Sequence, residues 1–398
     1  MKRPIHDLIE RDLQRKLVFV TGPRQVGKTT LSQYLLGQTQ PSQYLNYDVA
    51  ADKLRIERQS WLPDAKRLVL DELHKMPHWK TWLKGVWDGR SPNQHWLVTG
   101  SARMDTFMQT GDSLAGRYLA WRLHPLSVKE WRENCPAAEA GQPPSADEAL
   151  AHLLLRGGFP EPCLFPTTPQ GDIDALRWRD QYANGLVRED VLEFSRIHEV
   201  SAMRVLLDLL RSRVGSPLSL ASLGRDLGLS QPTVKRYIDV LQALYIVFVV
   251  QPWHHNIARS LQQAPKIYFF DTGMVTGNMT GDTASPEAQG ARFENAVACM
   301  LLKHVHYLQD SEAAPINLHY ARDKDGAEID FCLSHGTQLT HLIECKWRDD
   351  KPHRAFAKFG AAWPQAQAIQ LVRHLRSPEY YKGVRILPAA DWLAALAA

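Results

Sequence analysis

The stretch Thr21-Gly22-Pro23-Arg24-Gln25-Val26-Gly27-Lys28-Thr29 decides how this chain is read. It follows the apolar run Leu17-Val18-Phe19-Val20 and leads into Thr30-Leu31-Ser32-Gln33-Tyr34-Leu35-Leu36, which reads as a helix. From Gly22 to Thr29 the pattern G-x-x-x-x-G-K-[ST] is complete, and a strand before it and a helix after it supply the context of a phosphate cradle. Gly22 and Gly27 allow a tight turn in which successive N–H groups converge on an anion. The helix that starts near Lys28 adds its positive dipole end. Lys28 is expected to reach the β- and γ-phosphates and Thr29 to ligate Mg²⁺. The expected nucleotide-binding set is therefore Gly22, Pro23, Arg24, Gln25, Val26, Gly27, Lys28, Thr29 and Thr30. The bland alternative is a glycine turn between a strand and a helix.

Downstream, Arg67-Leu68-Val69-Leu70-Asp71-Glu72 is an apolar strand that ends in two carboxylates. Buried parallel strands read as continuous apolar runs, and ligands gather at their carboxyl ends. Asp71 is then placed to hold Mg²⁺ and Glu72 to polarise an attacking water. Read alone, the pair would be an acidic turn at a strand end. A further strand, His95-Trp96-Leu97-Val98-Thr99, runs into Gly100-Ser101-Ala102, where Ser101, with Thr99 as the other option, could sense the γ-phosphate. Arg117 precedes the strand Tyr118 to Leu123; a guanidinium there could stabilise the charge of phosphoryl transfer, or could be a surface arginine.

The chain has 398 residues, more than one hydrophobic core holds, and two to four domains are expected. Hydrophobic residues at 44% and charged residues at 23% fit a soluble globular class. A net charge of +4 permits a nucleic-acid partner without demanding one. Five scattered cysteines without C-x-x-C spacing argue against a disulfide framework or a zinc site. The apolar run from Ala243 to Val250 is too short to cross a bilayer, and the N-terminus lacks a signal-peptide core, so the expectation is a cytoplasmic protein without a membrane partner.

Gly22 to Thr29, Leu68 to Glu72, Thr99-Gly100-Ser101 and Leu114 to Arg117 together resemble an AAA+ superfamily ATPase. With Leu123-His124-Pro125-Leu126-Ser127, Glu130 and Arg156-Gly157-Gly158-Phe159-Pro160-Glu161, the chain resembles the prokaryotic AAA ATPases paired with the domain DUF4143. The resemblance implies that Arg117 is an arginine finger serving a neighbouring subunit, with Arg103 as a weaker candidate. It implies a homo-oligomer, a hexameric ring among the sizes considered. It also implies a helical lid, in which Arg188 is the candidate second arginine.

Residues 221–244 carry the rhythm of a helix-turn-helix around Gly228-Leu229-Ser230. Ser230 suits an N-cap, Pro232 the first turn, and Thr233, Lys235 and Arg236 the start of a recognition helix. Between Ser201 and Val240, six Lys/Arg face three Asp, a basic excess suited to DNA phosphates. Tyr245 to Val250 then reads as the strand of a winged helix. Such a module could equally serve packing or protein contact.

A second constellation lies near the C-terminus. Asp330 falls in one alternating strand and Glu344-Cys345-Lys346 in the next, joined by a turn at Ser334-His335-Gly336. Residues two apart in a strand share a face, so Glu344 and Lys346 point together and a hairpin could set Asp330 opposite them. Two carboxylates can share Mg²⁺ while an ammonium steadies a pentavalent phosphate. The arrangement resembles the PD-(D/E)xK nuclease superfamily: Asp330 matches its metal-binding aspartate, Glu344 and Lys346 its E-x-K, and Glu294 the glutamate of its first helix. Ile329 stands where the motif's name has proline. A salt-bridged strand pair is the alternative.

The sequence therefore predicts an α/β chain with four segments. These are a P-loop AAA+ core over residues 1–135, a helical lid and linker over 136–200, a winged helix over 201–275, and a restriction-endonuclease-like α/β domain over 276–398. ATP and Mg²⁺ are the expected cofactors and DNA the expected partner. Work on DNA, branched DNA included, with Mg²⁺-dependent cleavage as an added activity, is the expected function. The alternative is a regulatory ATPase switch whose downstream domains bind proteins.

Overall fold

Strand β1, Leu17–Thr21, is buried at every position, as its unbroken apolar run requires of a strand covered on both faces. The computed structural model describes residues 2–100, 114–186, 200–253, 264–276, 285–349 and 351–398. Two compact units emerge: Met1–His124 with Ala243–Tyr245, and Pro125–Gln242 with Ile246–Ala398.

In the first unit, β1 joins β2 (Ser42–Asn46), β3 (Arg67–Asp71), β4 (His95–Thr99) and β5 (Tyr118–Arg122) in a parallel sheet of order β2-β3-β4-β1-β5. Helices α1 (Ile5–Leu13), α2 (Lys28–Gly37), α3 (Ala50–Glu57) and α4 (Trp79–Asp88) belong to the same unit. Because β1 lies between β4 and β5, the loop leaving β1 opens towards the ends of β4 and β3. This is the crevice in which open parallel sheets bind ligands. Phe19, Leu68, Leu70, Trp79, Leu83, Trp87, Trp96 and Val98 share one core. Trp96 meets Trp61 and Trp87 edge-on, with ring centroids 5.4 and 5.9 Å away, the geometry that the ring quadrupole favours. Arg67 is fully buried at the start of β3. It donates to both Glu10 carboxylate oxygens at 2.7 and 2.6 Å and to the Leu35 carbonyl at 2.7 Å, tying α1 and α2 to the sheet. A buried guanidinium is tolerable only with such bidentate compensation.

The second unit is built on an eight-stranded sheet. It contains β6 (Val247–Pro252), β7 (Lys266–Phe269), β8 (Ile316–Arg322), β9 (Glu328–His335), β10 (Gln338–Lys346), β11 (Gln367–Val372), β12 (Glu379–Tyr381) and β13 (Val384–Pro388). Their order is β12-β13-β11-β10-β9-β8-β6-β7. The strand expected after the helix-turn-helix is β6. It pairs antiparallel with β7 and parallel with β8, so one sheet draws strands from both sides of residue 276. Glu294 lies on the long helix Pro286–Glu312. The Asn295 side chain of that helix accepts from the Phe269 N–H at 2.8 Å and donates to the Phe269 carbonyl at 3.1 Å, satisfying the open edge of β7.

Helices Val200–Arg211, Leu220–Leu227 and Gln231–Ala243 precede β6. Gly228 closes the second of them in the left-handed region, at φ +66°. The Ser230 hydroxyl accepts from the Thr233 N–H at 3.3 Å, the expected N-cap. A helix spans Pro169–Gly185, and Arg188 lies outside the described residues. Asp271 lies two residues past the end of β7. Its buried carboxylate accepts from the Gly158 and Gly273 N–H groups, and a Cβ on Gly157 would stand 2.2 Å from it. All five cysteines are free thiols. Among the described residues no helix is long and apolar enough to cross a membrane.

The tryptophan cluster makes a direct prediction. Trp96→Ala empties the centre of the first unit's core and is expected to cost about 3–5 kcal/mol in denaturant-induced unfolding, with tryptophan fluorescence as the readout.

Candidate nucleotide site and a carboxylate cluster

The phosphate loop takes its shape from backbone positions that only certain residues allow. Gly22 has φ +150°, and a Cβ there would stand 2.4 Å from the Leu123 carbonyl oxygen. Gly27 has φ 99° and forms the N-cap of α2. The buried Arg3 side chain secures this loop, donating to the Val26 carbonyl at 3.4 Å and to the His124 carbonyl at 2.5 Å. Lys28 is buried, and its ammonium donates to the carbonyls of Gly22 and Pro23 at 3.0 and 2.7 Å. Burial lowers its pKa to about 8, against the pull of Glu72 and Asp71. Thr29 and Thr30 are exposed at the start of α2, and Arg24 and Gln25 lie on the loop with partial and full exposure.

Three hydroxyls converge on Asp71. Thr29 donates to Oδ2 at 3.3 Å, Tyr44 from β2 donates to the same oxygen, and Thr99 from β4 donates to Oδ1 at 2.5 Å. The tyrosine hydroxyl is held as a donor: burial and the hydrogen bond to Asp71 raise its pKa. The Thr29 hydroxyl and the Asp71 carboxylate are hard oxygen ligands side by side, a donor set that fits Mg²⁺. Glu72 follows in the left-handed region, φ 56° and ψ 23°. Non-glycine residues adopt that conformation at a cost, and it turns the side chain away from the strand direction. Its carboxylate lies 3.4 Å from Lys75 and 3.7 Å from His74. Burial raises the Glu72 pKa, with Lys75 partly offsetting it.

Ser101 and Arg103 lie outside the described residues. Thr99, the other option for the strand end, has its hydroxyl on Asp71. Arg117 makes a bidentate pair with Asp88 of α4, at 2.8 and 3.0 Å. Sequence reading missed Arg3 and Tyr44, which reach the site from outside the motif.

In the second unit the hairpin brings the four expected residues together. Opposition of Phe331 and Ile343 sets Asp330 beside Glu344. The Asp330 N–H donates to Glu344 Oε2 at 3.3 Å, and the Cys345 N–H donates to Asp330 Oδ2 at 3.0 Å. Lys346 donates to Glu344 Oε1 at 2.8 Å. Glu294 approaches from the long helix and accepts from Tyr268 at 2.7 Å. An unexpected residue completes the group. The Lys266 side chain, 1% exposed, lies 2.7 Å from Glu328, 3.3 Å from Glu294 and 3.3 Å from Asp330. Burial alone would lower its pKa, but the three carboxylates reverse that and raise it. Glu294 and Glu344 are pushed up by burial and by the Asp330 charge.

These residues do not fit a resident Mg²⁺. The ammonium groups of Lys266 and Lys346, in place of exchangeable hydroxyls, stand on Asp330 and Glu344. Among the described residues no three His, Cys, Asp or Glu side chains form a metal-holding group. The nucleotide loop has a sharper consequence. Since Lys28 loses its proton above a pKa of about 8, ATP affinity measured by calorimetry is expected to fall above that pH, by up to ~tenfold per pH unit. Lys28→Met should abolish both the affinity and its pH dependence.

Three family models match the chain. Residues 14–132 match a family model described as an AAA domain, and residues 147–285 and 289–392 match two domains of unknown function, DUF8612 and DUF4143. An uncharacterized protein of Mycobacterium tuberculosis is 28% identical over 325 residues, which cover 81% of this chain and 68% of that one. An uncharacterized protein of Mycobacterium bovis matches with the same figures. Among solved structures, a RuvB variant of Thermotoga maritima aligns at TM-score 0.32 and 17% identity, over 61% of this chain and 88% of that one. A signal transduction ATPase with numerous domains, carrying a tetratricopeptide repeat sensor, from Pyrococcus horikoshii aligns at 0.29 and 11%, over 78% and 47%. Structural likeness this low assigns neither fold nor function. The phosphate loop in its parallel sheet and the family match over the same residues identify 14–132 as an AAA-type ATPase domain.

Proposed function

We propose that the chain is a cytoplasmic AAA+ protein that hydrolyses ATP and uses the energy to act on DNA as a homo-oligomeric ring. The observation that supports hydrolysis best is the Asp71 carboxylate held by Thr29, Tyr44 and Thr99, with Glu72 next in the chain. When bound, ATP supplies the transferable phosphoryl group and Mg²⁺ neutralises its charge. The loop N–H groups and Lys28 bind and orient the phosphates, Thr29 and Asp71 hold the ion, and Glu72 takes the proton of the attacking water. Burial raises its pKa, which strengthens it as a base.

Arg117 is the proposed finger. In the protomer Asp88 holds its guanidinium in the planar, two-point geometry that a phosphate would also satisfy. Acting across a subunit boundary then means exchanging one anion for another.

A DNA partner is supported by the second helix of the helix-turn-helix. Lys235 and Arg236 are exposed near its start and Thr233 partly so, and Arg225 is exposed on the helix before. Val234, Tyr237, Ile238 and Leu241 are buried, so packing orients the basic face. Arg211 and Arg213 are paired with Asp208 and Asp226 and contribute less to that face. In this reading the nuclease-like domain contributes binding.

The test is phosphate release with and without forked or four-way DNA. Stimulation by DNA is expected. Glu72→Gln should lower turnover by about 10²–10⁴-fold while ATP still binds, and Arg117→Ala should lower it by ~10³-fold or more. Turnover indifferent to DNA, together with no DNA binding at low salt, would leave the regulatory switch as the better reading.

A further inference from the structure

The carboxylate cluster of the second unit contains a cation of its own. Lys266 enters from β7, outside the hairpin and helix that carry Glu294, Glu328, Asp330 and Glu344. Its ammonium touches three of these four carboxylates, and its side chain is 1% exposed. Carboxylates gathered this closely in a buried site need a positive charge among them, because mutual repulsion and desolvation both oppose ionisation. A divalent ion supplies that charge in a metal site. Here an ammonium fixed to the backbone does so.

We infer that Lys266 is a built-in substitute for a divalent cation, occupying the space among Glu294, Glu328 and Asp330 so that this domain neither holds a metal nor cuts nucleic acid.

Two further contacts agree. Tyr268, two residues along β7 and on the same face, donates to Glu294 and orients it towards the ammonium. The second ammonium, Lys346, is paired with Glu344 and balances the other end of the cluster. Lysine suits the role because its charge is compact and its donors radiate in three directions, one towards each carboxylate.

The inference concerns the second unit alone and stands whether or not the chain hydrolyses ATP. The test uses full-length, nucleotide-free protein with Mn²⁺ as the probe. Free Mn²⁺ is followed by electron paramagnetic resonance, and thermal unfolding is recorded in parallel. Wild type and Asp330→Asn are expected to bind Mn²⁺ alike, with no shift in the wild-type unfolding midpoint at millimolar ion. Lys266→Met should bind one further Mn²⁺ per protomer, with a rise in its midpoint, and lose both when Asp330→Asn is added. Lys266→Arg should behave as wild type.

The inference is overturned if wild type binds Mn²⁺ in a manner that Asp330→Asn abolishes, or if folded Lys266→Met gains no ion. Should Lys266→Met fail to fold, the comparison of wild type with Asp330→Asn decides the matter alone. DNA-stimulated ATP turnover is a separate readout, so failure of the metal test and failure of the ATPase reading cannot be confused.

Discussion

The hydrogen bonds that converge on Asp71 are the constraint around which the first unit is built. A carboxylate at the end of a buried strand is costly unless its lone pairs are used. Here one hydroxyl comes from each neighbouring strand and one from the helix behind the phosphate loop. The order β2-β3-β4 sets Tyr44 and Thr99 on the strands either side of Asp71, and β1 beside β4 keeps the loop within reach. The buried Arg67 at the opposite end of β3 fastens α1 and α2 to the same strand. β3 is thus held at both ends by polar groups and along its length by the core.

The second unit solves a similar electrostatic problem with different means. In the first unit neutral hydroxyls surround one carboxylate, which leaves it able to exchange partners for a cation. In the second, ammonium groups are bonded directly to the carboxylates, and that exchange would require a buried lysine to leave. The difference lies in the chemistry of the donors, since both sites stand at strand positions in α/β sheets. A resemblance that rests on Asp330, Glu344 and Lys346 therefore describes where the residues are, while Lys266 governs what they can do.

Much of this was legible because the signals are local. The phosphate loop is contiguous, and its flanking strand and helix need only nearest neighbours. Glu344 and Lys346 share a face through the two-residue period of a strand, and the short turn at Ser334-His335-Gly336 supplied the antiparallel partner. The turn between the helices Leu220–Leu227 and Gln231–Ala243 was marked by Gly228 and Ser230, whose roles are set by backbone conformation. Tyr44, Arg3 and Lys266 were not legible in the same way. Each reaches its site from a separate segment through strand order or chain return, and none has a characteristic spacing from the motif it serves. Lys266 reads in sequence as a charged residue at the edge of an apolar strand, where solvent exposure is the ordinary outcome.

In the proposed function, a bound nucleotide is split at the Asp71 cluster. The most direct measurement is steady-state phosphate release by wild type and Asp71→Asn at matched ATP occupancy, with circular dichroism confirming that both are folded. The asparagine keeps the size and one acceptor but removes the charge that would hold the ion. Turnover is expected in wild type and lost in Asp71→Asn, with nucleotide still bound by the loop. Undiminished turnover in Asp71→Asn would rule out a role for this carboxylate in hydrolysis.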